Sequence, residues 1–217
     1  MDESFELIVG LGNPGLEHRR ARHNAGFWFV DLLAQRHGGE FRARRRLFGD
    51  AADITLEGRR IRLLKPMTYM NDSGRAVAAA CAFYKIPSQS VLVAYDELDI
   101  PPGRAKLRFN GGPGGHNGVR NVAECVGRDF WRLRLGIGHP GPGQRERVIG
   151  YVLRRPTPDE QGAILDAVLA SADALEVFLD KGAERAKTQL HSRHLKDRTP
   201  QGADPQDTEP EGNGSAP

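Results

Sequence analysis

The segment Phe5-Glu6-Leu7-Ile8-Val9-Gly10-Leu11-Gly12-Asn13-Pro14-Gly15 decides the fold of this chain. Its apolar run, residues 5–9, is typical of a buried strand that ends at Gly10. The glycines match the Gly-x-Gly-x-x-Gly pattern of a turn that binds a dinucleotide through its backbone. Pro14, however, removes one of the backbone donors that such a turn needs. A tight turn after a buried strand explains the glycines equally well, and it places Asn13 at the strand's carboxyl end, where ligands bind in open α/β sheets.

Beyond this segment, strand-like and helical patterns alternate along the chain. The predicted strands are residues 91–95, 104–109 (an edge strand) and 133–137, with a hairpin over 53–56 and 61–64. The predicted helices are residues 23–37, 76–84, 116–126 and 158–186, approximately. Alternation of this kind predicts a single α/β domain with a mixed, twisted sheet and helices on both faces. The hairpin argues against a purely parallel sheet.

Composition places the chain among soluble globular proteins. It has 217 residues, of which 39% are apolar and 27% charged, as in an ordinary domain. Because no stretch approaches the roughly 20 apolar residues of a membrane span, no membrane association is expected. The start, Met1-Asp2-Glu3-Ser4, lacks the basic residues of a secretory signal, which favours a cytoplasmic location. Cys81 and Cys125 match no metal motif, and we expect both to be buried thiols.

Charge is distributed unevenly along the chain. The net charge is +3, but residues 197–217 hold five acids and one arginine. The net charge of that segment is therefore −4, and that of residues 1–196 is +7. A basic body suits an anionic partner such as RNA. The segment 197–217 is rich in proline, glycine and acids, so we expect a disordered tail after a catalytic domain of residues 1–196.

Five segments carry a family resemblance. They are Gly12-Asn13-Pro14-Gly15 with His23-Asn24, Lys65-Pro66-Met67-Thr68-Tyr69-Met70-Asn71-Asp72-Ser73-Gly74, Tyr95-Asp96-Glu97-Leu98-Asp99 with Pro101-Pro102-Gly103, Gly114-Gly115-His116-Asn117-Gly118, and Arg132-Leu133-Arg134-Leu135-Gly136-Ile137-Gly138. In order and spacing, over about residues 5–190, they closely resemble the bacterial-type peptidyl-tRNA hydrolases. The resemblance implies an enzyme that hydrolyses the ester between a peptide, or an N-blocked amino acid, and the 3′ end of tRNA. Such an enzyme recycles peptidyl-tRNA released from ribosomes, and no cofactor is expected.

His23 is the candidate base. Imidazole titrates near pH ~6.5, so at neutral pH it can take a proton from water. Asp96, at the end of the strand predicted over 91–95, is expected to accept from the other ring nitrogen, which fixes the tautomer and stabilises the imidazolium. No nucleophilic serine or cysteine is evident, so water should attack directly. Taken alone, His23 would be an ordinary histidine at a helix start, and Asp96 a turn or cap.

Uncharged amides accompany this pair. Asn13, Asn71 and Asn117 can each hold a peptide amide, orient water or stabilise an oxyanion, although each alone would be an ordinary turn, cap or loop residue. The resemblance assigns Asn13 to the substrate's peptide bond in the catalytic site, and Asn71 and Asn117 to its 3′ end. Tyr69 and His18 match positions that contact the tRNA terminus, and His18 stands where the family usually has tyrosine.

The cations on the predicted strands suit the phosphates of a tRNA. The resemblance implies that Arg108 and Arg134 clamp the tRNA's 5′ phosphate. Alternatively, these two residues and their neighbours Lys106 and Arg132 form only the solvated faces of edge strands. The basic run Arg42, Arg44, Arg45 and Arg46 is more typical of an exposed face. The spacing of the seven histidines indicates no metal site. The resemblance implies a monomer.

Two other functions remain open at this point. A nucleotide-dependent oxidoreductase rests on the glycine loop alone, and NAD(P) binding would identify it. A tRNA- or ribosome-binding module without catalysis would bind RNA in a salt-sensitive way but would not turn over substrate. The combination of His23, Asp96 and the three asparagines favours the enzyme.

Overall fold

The computed structural model describes residues 4–141 and 145–192. Its strands are β1 (Leu7–Gly10), β2 (Arg42–Arg44), β3 (Gly49–Leu56), β4 (Arg59–Pro66), β5 (Val91–Glu97), β6 (Ala105–Phe109) and β7 (Trp131–Gly136). Its α-helices are α1 (Ala25–Arg36), α2 (Ser73–Tyr84), α3 (Asn117–Val126), α4 (Arg145–Leu153), α5 (Pro158–Lys181) and α6 (Ala183–Ser192). The prediction for the tail, residues 197–217, falls outside the described residues.

All the strands join one sheet in the order β2-β3-β4-β1-β5-β7-β6. The central pairs β4–β1, β1–β5 and β5–β7 are parallel, whereas the pairs at both ends of the sheet are antiparallel. The predicted mixed sheet, its hairpin (β3–β4) and its edge strand (β6) are thus confirmed. Because β1, β4, β5 and β7 run in the same direction, the loops that follow them gather at one edge of the sheet, which we call the carboxyl edge.

Helices cover both faces of the sheet, as predicted. Alternate residues of β1 point to opposite sides, so that Ile8 packs under α1, α5 and α6 while Leu7 and Val9 pack under α2 and α3. This is the period of two that a strand imposes. Every residue of β5 is buried, as expected for a parallel strand covered on both faces.

Several element bounds differ from prediction. The long helix predicted over 158–186 ends at Lys181, because Gly182 has a left-handed φ of 84° before α6 begins. The strand β2 and the helix α4 were not predicted. His23 lies on a short 3-10 turn, Arg22–Asn24, rather than on α1 itself.

The prediction that both cysteines are buried is wrong. Both are free thiols, but Cys125 is exposed and Cys81 only half-buried. On α3 the apolar stripe consists of Val119, Val122 and Val126, at helical spacings of three and four. Cys125 lies one position off that stripe and therefore faces away from the core.

The outer strand β6 is covered by the last helix. The backbone N–H of Leu107 donates to Nε2 of His191 on α6, at 3.0 Å. Burial is the largest influence on the pKa of His191, and together with the charges of Lys106 and Lys187 it lowers that pKa below its ordinary value. The ring therefore keeps the lone pair that the strand needs. Within the described residues, no helix is both long and apolar enough to cross a membrane.

Candidate active site

Most of the predicted site residues meet in one cavity of about 640 Å³ at the carboxyl edge. Elements from distant parts of the chain supply them. Asn13 follows β1, His23 lies on the turn before α1, and Asp96 is near the end of β5. The cavity is also lined by Tyr69, Asn71 and Asn117. The predicted residues His18, Arg108 and Arg134 do not line it.

His23 and Asp96 form a close pair. Nδ1 of His23 lies 2.9 and 3.0 Å from the two carboxylate oxygens of Asp96. Only 2% of the Asp96 side chain is exposed, against 13% for His23, which faces the cavity. Because Nδ1 carries the proton that Asp96 accepts, Nε2 of the neutral ring is left as an acceptor.

The environment of the pair shifts both pKa values. Burial is the largest influence on His23 and lowers its pKa, but the charge of Asp96 and the hydrogen bond to it outweigh burial. The pKa of His23 is therefore raised above its ordinary value of 6.5. Burial raises the pKa of Asp96, yet the charges and hydrogen bonds of His23 and His116 hold it well below its usual range. Asp96 is thus a carboxylate at neutral pH.

His116 is a site residue that the sequence analysis missed. Its Nε2 lies 3.1 Å from Oδ1 of Asp96, and its ring centroid lies 4.9 Å from that of His23. As the N-cap of α3, it accepts from the N–H of Val119 through Nδ1 at 3.2 Å. Nδ1 is therefore unprotonated in the neutral ring, and Nε2 donates to Asp96. The position beside Asn117, directly before a helix, was the available signal.

These contacts also bear on metal binding. Ligand atoms of His23, Asp96 and His116 all lie within 4.8 Å of one another. A metal would need a lone pair on Nε2 of His116, which would place the proton on Nδ1, facing the N–H of Val119. The hydrogen bonds of this cluster therefore favour a proton-transfer centre over a cation site.

Asn13 is held by a second asparagine. The N–H of Asn13 donates to Oδ1 of Asn24 at 3.0 Å, and Nδ2 of Asn24 donates to the carbonyl of Asn13 at 2.9 Å. Oδ1 of Asn13 accepts from the N–H of Met70 at 2.9 Å. Since its acceptor is engaged, Asn13 offers the cavity its Nδ2, a hydrogen-bond donor. Asn24 is only 2% exposed, and although it belongs to the His23-Asn24 motif, the sequence predicted no role for it.

The predicted phosphate contacts lie on the neighbouring strands β6 and β7. The register places Lys106 opposite Arg134 and Arg108 opposite Arg132, so all four cations share one face of the sheet. Arg108 is exposed, whereas Arg132 is only 1% exposed and donates to the carbonyls of Arg128 and Phe130. Arg132 is therefore unavailable to a phosphate on the surface.

Arg134 has an acidic partner that the sequence analysis did not assign. Its Nε donates to Oε2 of the buried Glu97 at 2.9 Å, and Oε1 of Glu97 accepts from the N–H of Asp99. A quarter of the Arg134 side chain remains exposed. His18 lies apart, on the turn Leu16–His18, with its Nε2 3.8 Å from Oε1 of Glu17.

Fold and site together define an α/β protein with a histidine–carboxylate pair and donor amides at the carboxyl edge of its sheet. Comparison with known proteins is more specific. The family model for peptidyl-tRNA hydrolase matches residues 7–198. The peptidyl-tRNA hydrolase of Alkalilimnicola ehrlichii is 49% identical over 193 residues, which cover 88% of this chain and 97% of that protein. The one from Yersinia pestis is 49% identical over 191 residues, covering 87% and 96%.

A solved structure agrees with these relatives. The crystal structure of peptidyl-tRNA hydrolase from Acinetobacter baumannii superimposes with a TM-score of 0.84 at 41% identity, covering 88% of this chain and 97% of that one. The chain belongs to the peptidyl-tRNA hydrolase family, as its sequence motifs predicted.

Proposed function

We propose that this protein hydrolyses the ester between a peptide, or an N-blocked amino acid, and the 3′ end of tRNA, using water activated by His23 and Asp96. The observation that carries the proposal is the bidentate contact of Nδ1 of His23 with Asp96, at 2.9 and 3.0 Å, in a cavity lined by amides. Family membership supports the substrate class. The reaction would recycle peptidyl-tRNA released from ribosomes in the cytoplasm.

The proton transfers follow from the tautomer. Nε2 of His23 accepts a proton from water as the water oxygen attacks the ester carbonyl. The resulting imidazolium faces the Asp96 carboxylate, which stabilises it. The tetrahedral intermediate then collapses, its bond to the ribose oxygen breaks, and the imidazolium returns the proton to that leaving oxygen. Asp96 stays ionised throughout, as the low pKa requires.

Asn13 accounts for selectivity between blocked and free substrates. Its available group, Nδ2, is a donor and so pairs with a carbonyl oxygen. A peptidyl-tRNA offers the carbonyl of its last peptide bond, whereas an aminoacyl-tRNA carries a free ammonium group and has no such carbonyl. Asn24 holds the backbone of Asn13, and the N–H of Met70 holds its side-chain oxygen. The amide positioned in this way favours the first substrate, because an unpaired buried donor is costly.

The tRNA would reach the cavity across its polar rim. Tyr69 is 71% exposed at the rim, where its ring can stack on a terminal base. Asn71 and Asn117 line the same cavity and can donate to the 3′ nucleotide. The exposed Arg108 and the remaining nitrogens of Arg134 are proposed to hold the 5′ phosphate, and His18 to lie near the tRNA terminus. We infer that a monomer suffices, because the cavity is assembled within one chain.

The direct test compares N-acetylaminoacyl-tRNA with free aminoacyl-tRNA. The first should be hydrolysed and the second largely spared, and His23→Ala should abolish turnover while leaving tRNA binding. His37→Ala is a matched control, since His37 faces Glu176 of α5 rather than the cavity. Equal rates on both substrates would contradict the selectivity, and full activity of His23→Ala would contradict the mechanism. Salt-sensitive RNA binding without turnover by the wild type would indicate a binding module instead.

A further inference from the structure

Arg22, the residue directly before His23, is buried although it carries a charge. Only 6% of its side chain is exposed, and it does not line the cavity. Charged side chains are buried at a cost unless their hydrogen bonds are satisfied. The partners of Arg22 therefore show what the residue does.

The hydrogen bonds that Arg22 donates run to the last turn of α4, to the residues after it and to the first turn of α5. Nη1 lies 3.2, 3.2 and 3.3 Å from the carbonyls of Tyr151, Arg154 and Arg155, respectively. The backbone N–H of Arg22 also donates to the carbonyl of Arg154, at 3.2 Å. Carbonyls at the end of a helix lack partners within it and carry partial negative charge. Arg22 thus binds one carbonyl in the last turn of α4 and two in the residues that follow it, from another part of the chain.

The other end of the guanidinium reaches the start of α5. Nη2 donates to Oε2 of Glu160 at 2.6 Å. The same oxygen accepts from the N–H of Thr157, and Oγ1 of Thr157 accepts from the N–H of Glu160, which completes a capping box. One carboxylate oxygen therefore joins Arg22 to the first turn of α5. The guanidinium carbon also lies 4.1 Å from the ring centroid of Tyr151.

The helix held in this way forms one wall of the cavity. Four apolar residues of α4 line it together with Asn13 and His23: Val148, Ile149, Val152 and Leu153. Tyr151 fixes the same helix to the sheet, because its hydroxyl donates to the carbonyl of Ile137 at 2.6 Å. The turn that carries His23 and the wall that would face the peptide are thus connected through one side chain.

We propose that Arg22 is a positioning residue that sets the distance between His23 and the α4 wall, so that the peptide end of the substrate is held in register with the activated water. This inference rests on the proposed function. An arginine is required because its planar fork reaches the helix carbonyls and the Glu160 carboxylate at once, whereas a lysine has a single nitrogen. A shift of about 1 Å between binding and reacting groups can cost on the order of 100-fold in rate.

The experiment measures kcat and KM of Arg22→Lys and Glu160→Gln on two substrates, N-acetylaminoacyl-tRNA and tRNA carrying a tetrapeptide of apolar residues. For Arg22→Lys we expect the KM of the tetrapeptide substrate to rise about fivefold or more, and the preference in kcat/KM for the longer peptide to fall by a similar factor. Glu160→Gln should change KM and the substrate preference in the same direction but by less, because the contacts of Arg22 with the backbone carbonyls remain. Neither KM nor a ratio of two substrates depends on the fraction of enzyme that is active, so a merely structural role would leave both unchanged.

Arg36→Lys is the matched control. It weakens an arginine–carboxylate pair between α1 and α5, with Nη1 of Arg36 2.8 Å from Oδ1 of Asp173, far from the cavity lining. KM and the substrate preference should stay at wild-type values in this variant.

Three outcomes are decisive. A folded Arg22→Lys variant with wild-type KM and preference would overturn the inference, as would a lower kcat alone. If Arg22→Lys does not fold, Glu160→Gln is judged by the same two readouts. A wild type that fails to hydrolyse either substrate would instead refute the proposed function, so the two failures are distinguishable.

Discussion

The centre around Asp96 and the cationic face of β6 and β7 differ in how firmly their side chains are held. Asp96 is buried and contacted by two imidazoles, and that of His116 is itself oriented by the N–H of Val119. Arg108 is exposed on the outer strand, and the partly exposed Arg134 is held by one carboxylate. Fixed, desolvated groups act on the transition state, whereas exposed cations add binding energy that salt can screen. The first region should therefore govern kcat, and the second KM.

The largest effect is expected for Asp96→Asn. An amide can neither stabilise the imidazolium nor select the same tautomer, so kcat should fall by about 1,000-fold or more, as is typical when such a carboxylate becomes an amide. Single-turnover hydrolysis of N-acetylaminoacyl-tRNA measures this. Asp99→Asn is the control, because Asp99 is an exposed turn residue in the same motif. If kcat of Asp96→Asn falls by less than tenfold, the centre around Asp96 does not govern kcat and the two regions do not differ in the expected way.

The pH dependence should follow from the raised pKa of His23. Below that pKa the base is protonated, so kcat/KM should rise about tenfold per pH unit and level off with a midpoint above 6.5. In Asp96→Asn, burial is the influence that remains, and the midpoint of the residual activity should move to lower pH. A profile whose midpoint is the same in both proteins would show that Asp96 does not set this pKa.

The raised pKa of His23 also makes the free energy of unfolding depend on pH. A raised folded pKa means that His23 stabilises the fold below pH ~6.5, its value in the unfolded chain. That contribution is lost as the pH rises through the folded pKa. The free energy of unfolding of the wild type relative to Asp96→Asn should therefore shrink between pH 6 and pH 9, as urea titrations can measure.

A smaller effect is expected for His116→Asn. Asparagine is a good N-cap and can still accept from the N–H of Val119, but its shorter side chain gives up the contact with Asp96. We expect kcat to fall about tenfold, which is the equivalent of about 1.4 kcal/mol. If kcat and the thermal midpoint of unfolding both equal those of the wild type, His116 acts only as a helix cap.

The smallest effect is expected for Arg108→Gln. Removing one exposed cation should raise KM a few-fold at low salt with kcat unchanged, and reduce the slope of log KM against log salt by about 1. With a substrate that lacks the 5′ phosphate, wild type and variant should become equal. Glu57→Gln, an exposed change in the β3–β4 turn, controls for surface charge. A fall in kcat would place Arg108 in the catalytic region instead.

The sequence predicted those parts of the molecule whose signal is local. The run that forms β1 and the first four residues of β5 (91–94) are apolar, and the His23-Asn24 and Asp96 motifs are contiguous. The strand β2 was missed because Arg42–Arg44 has no apolar residue larger than alanine, and it forms only by pairing with β3. The helix α4 did carry a signal, since its cavity-lining residues recur at helical spacing.

The site residues that were missed act through partners distant in sequence. Arg22 and Glu160 are 138 positions apart, and only the packing of α4 and α5 against the turn before α1 brings them together. Asn24 and Glu97 lie inside the quoted motifs, but their roles depend on which backbone and side-chain atoms the fold places beside them. Local patterns carry no information on such contacts.

The two outer strands of the sheet end it in different ways. On β6, the N–H of Leu107 is already taken by the uncharged ring of His191. On β2, Arg42 and Arg44 stand exposed, and Arg42 pairs with Glu40, so a second copy approaching this edge would meet charged side chains. Outer strands left bare are templates for aggregation, and natural proteins protect them with a covering helix or with charge. The covering helix on one outer strand and the exposed arginines on the other thus guard the backbone of this chain against edge-to-edge association with itself.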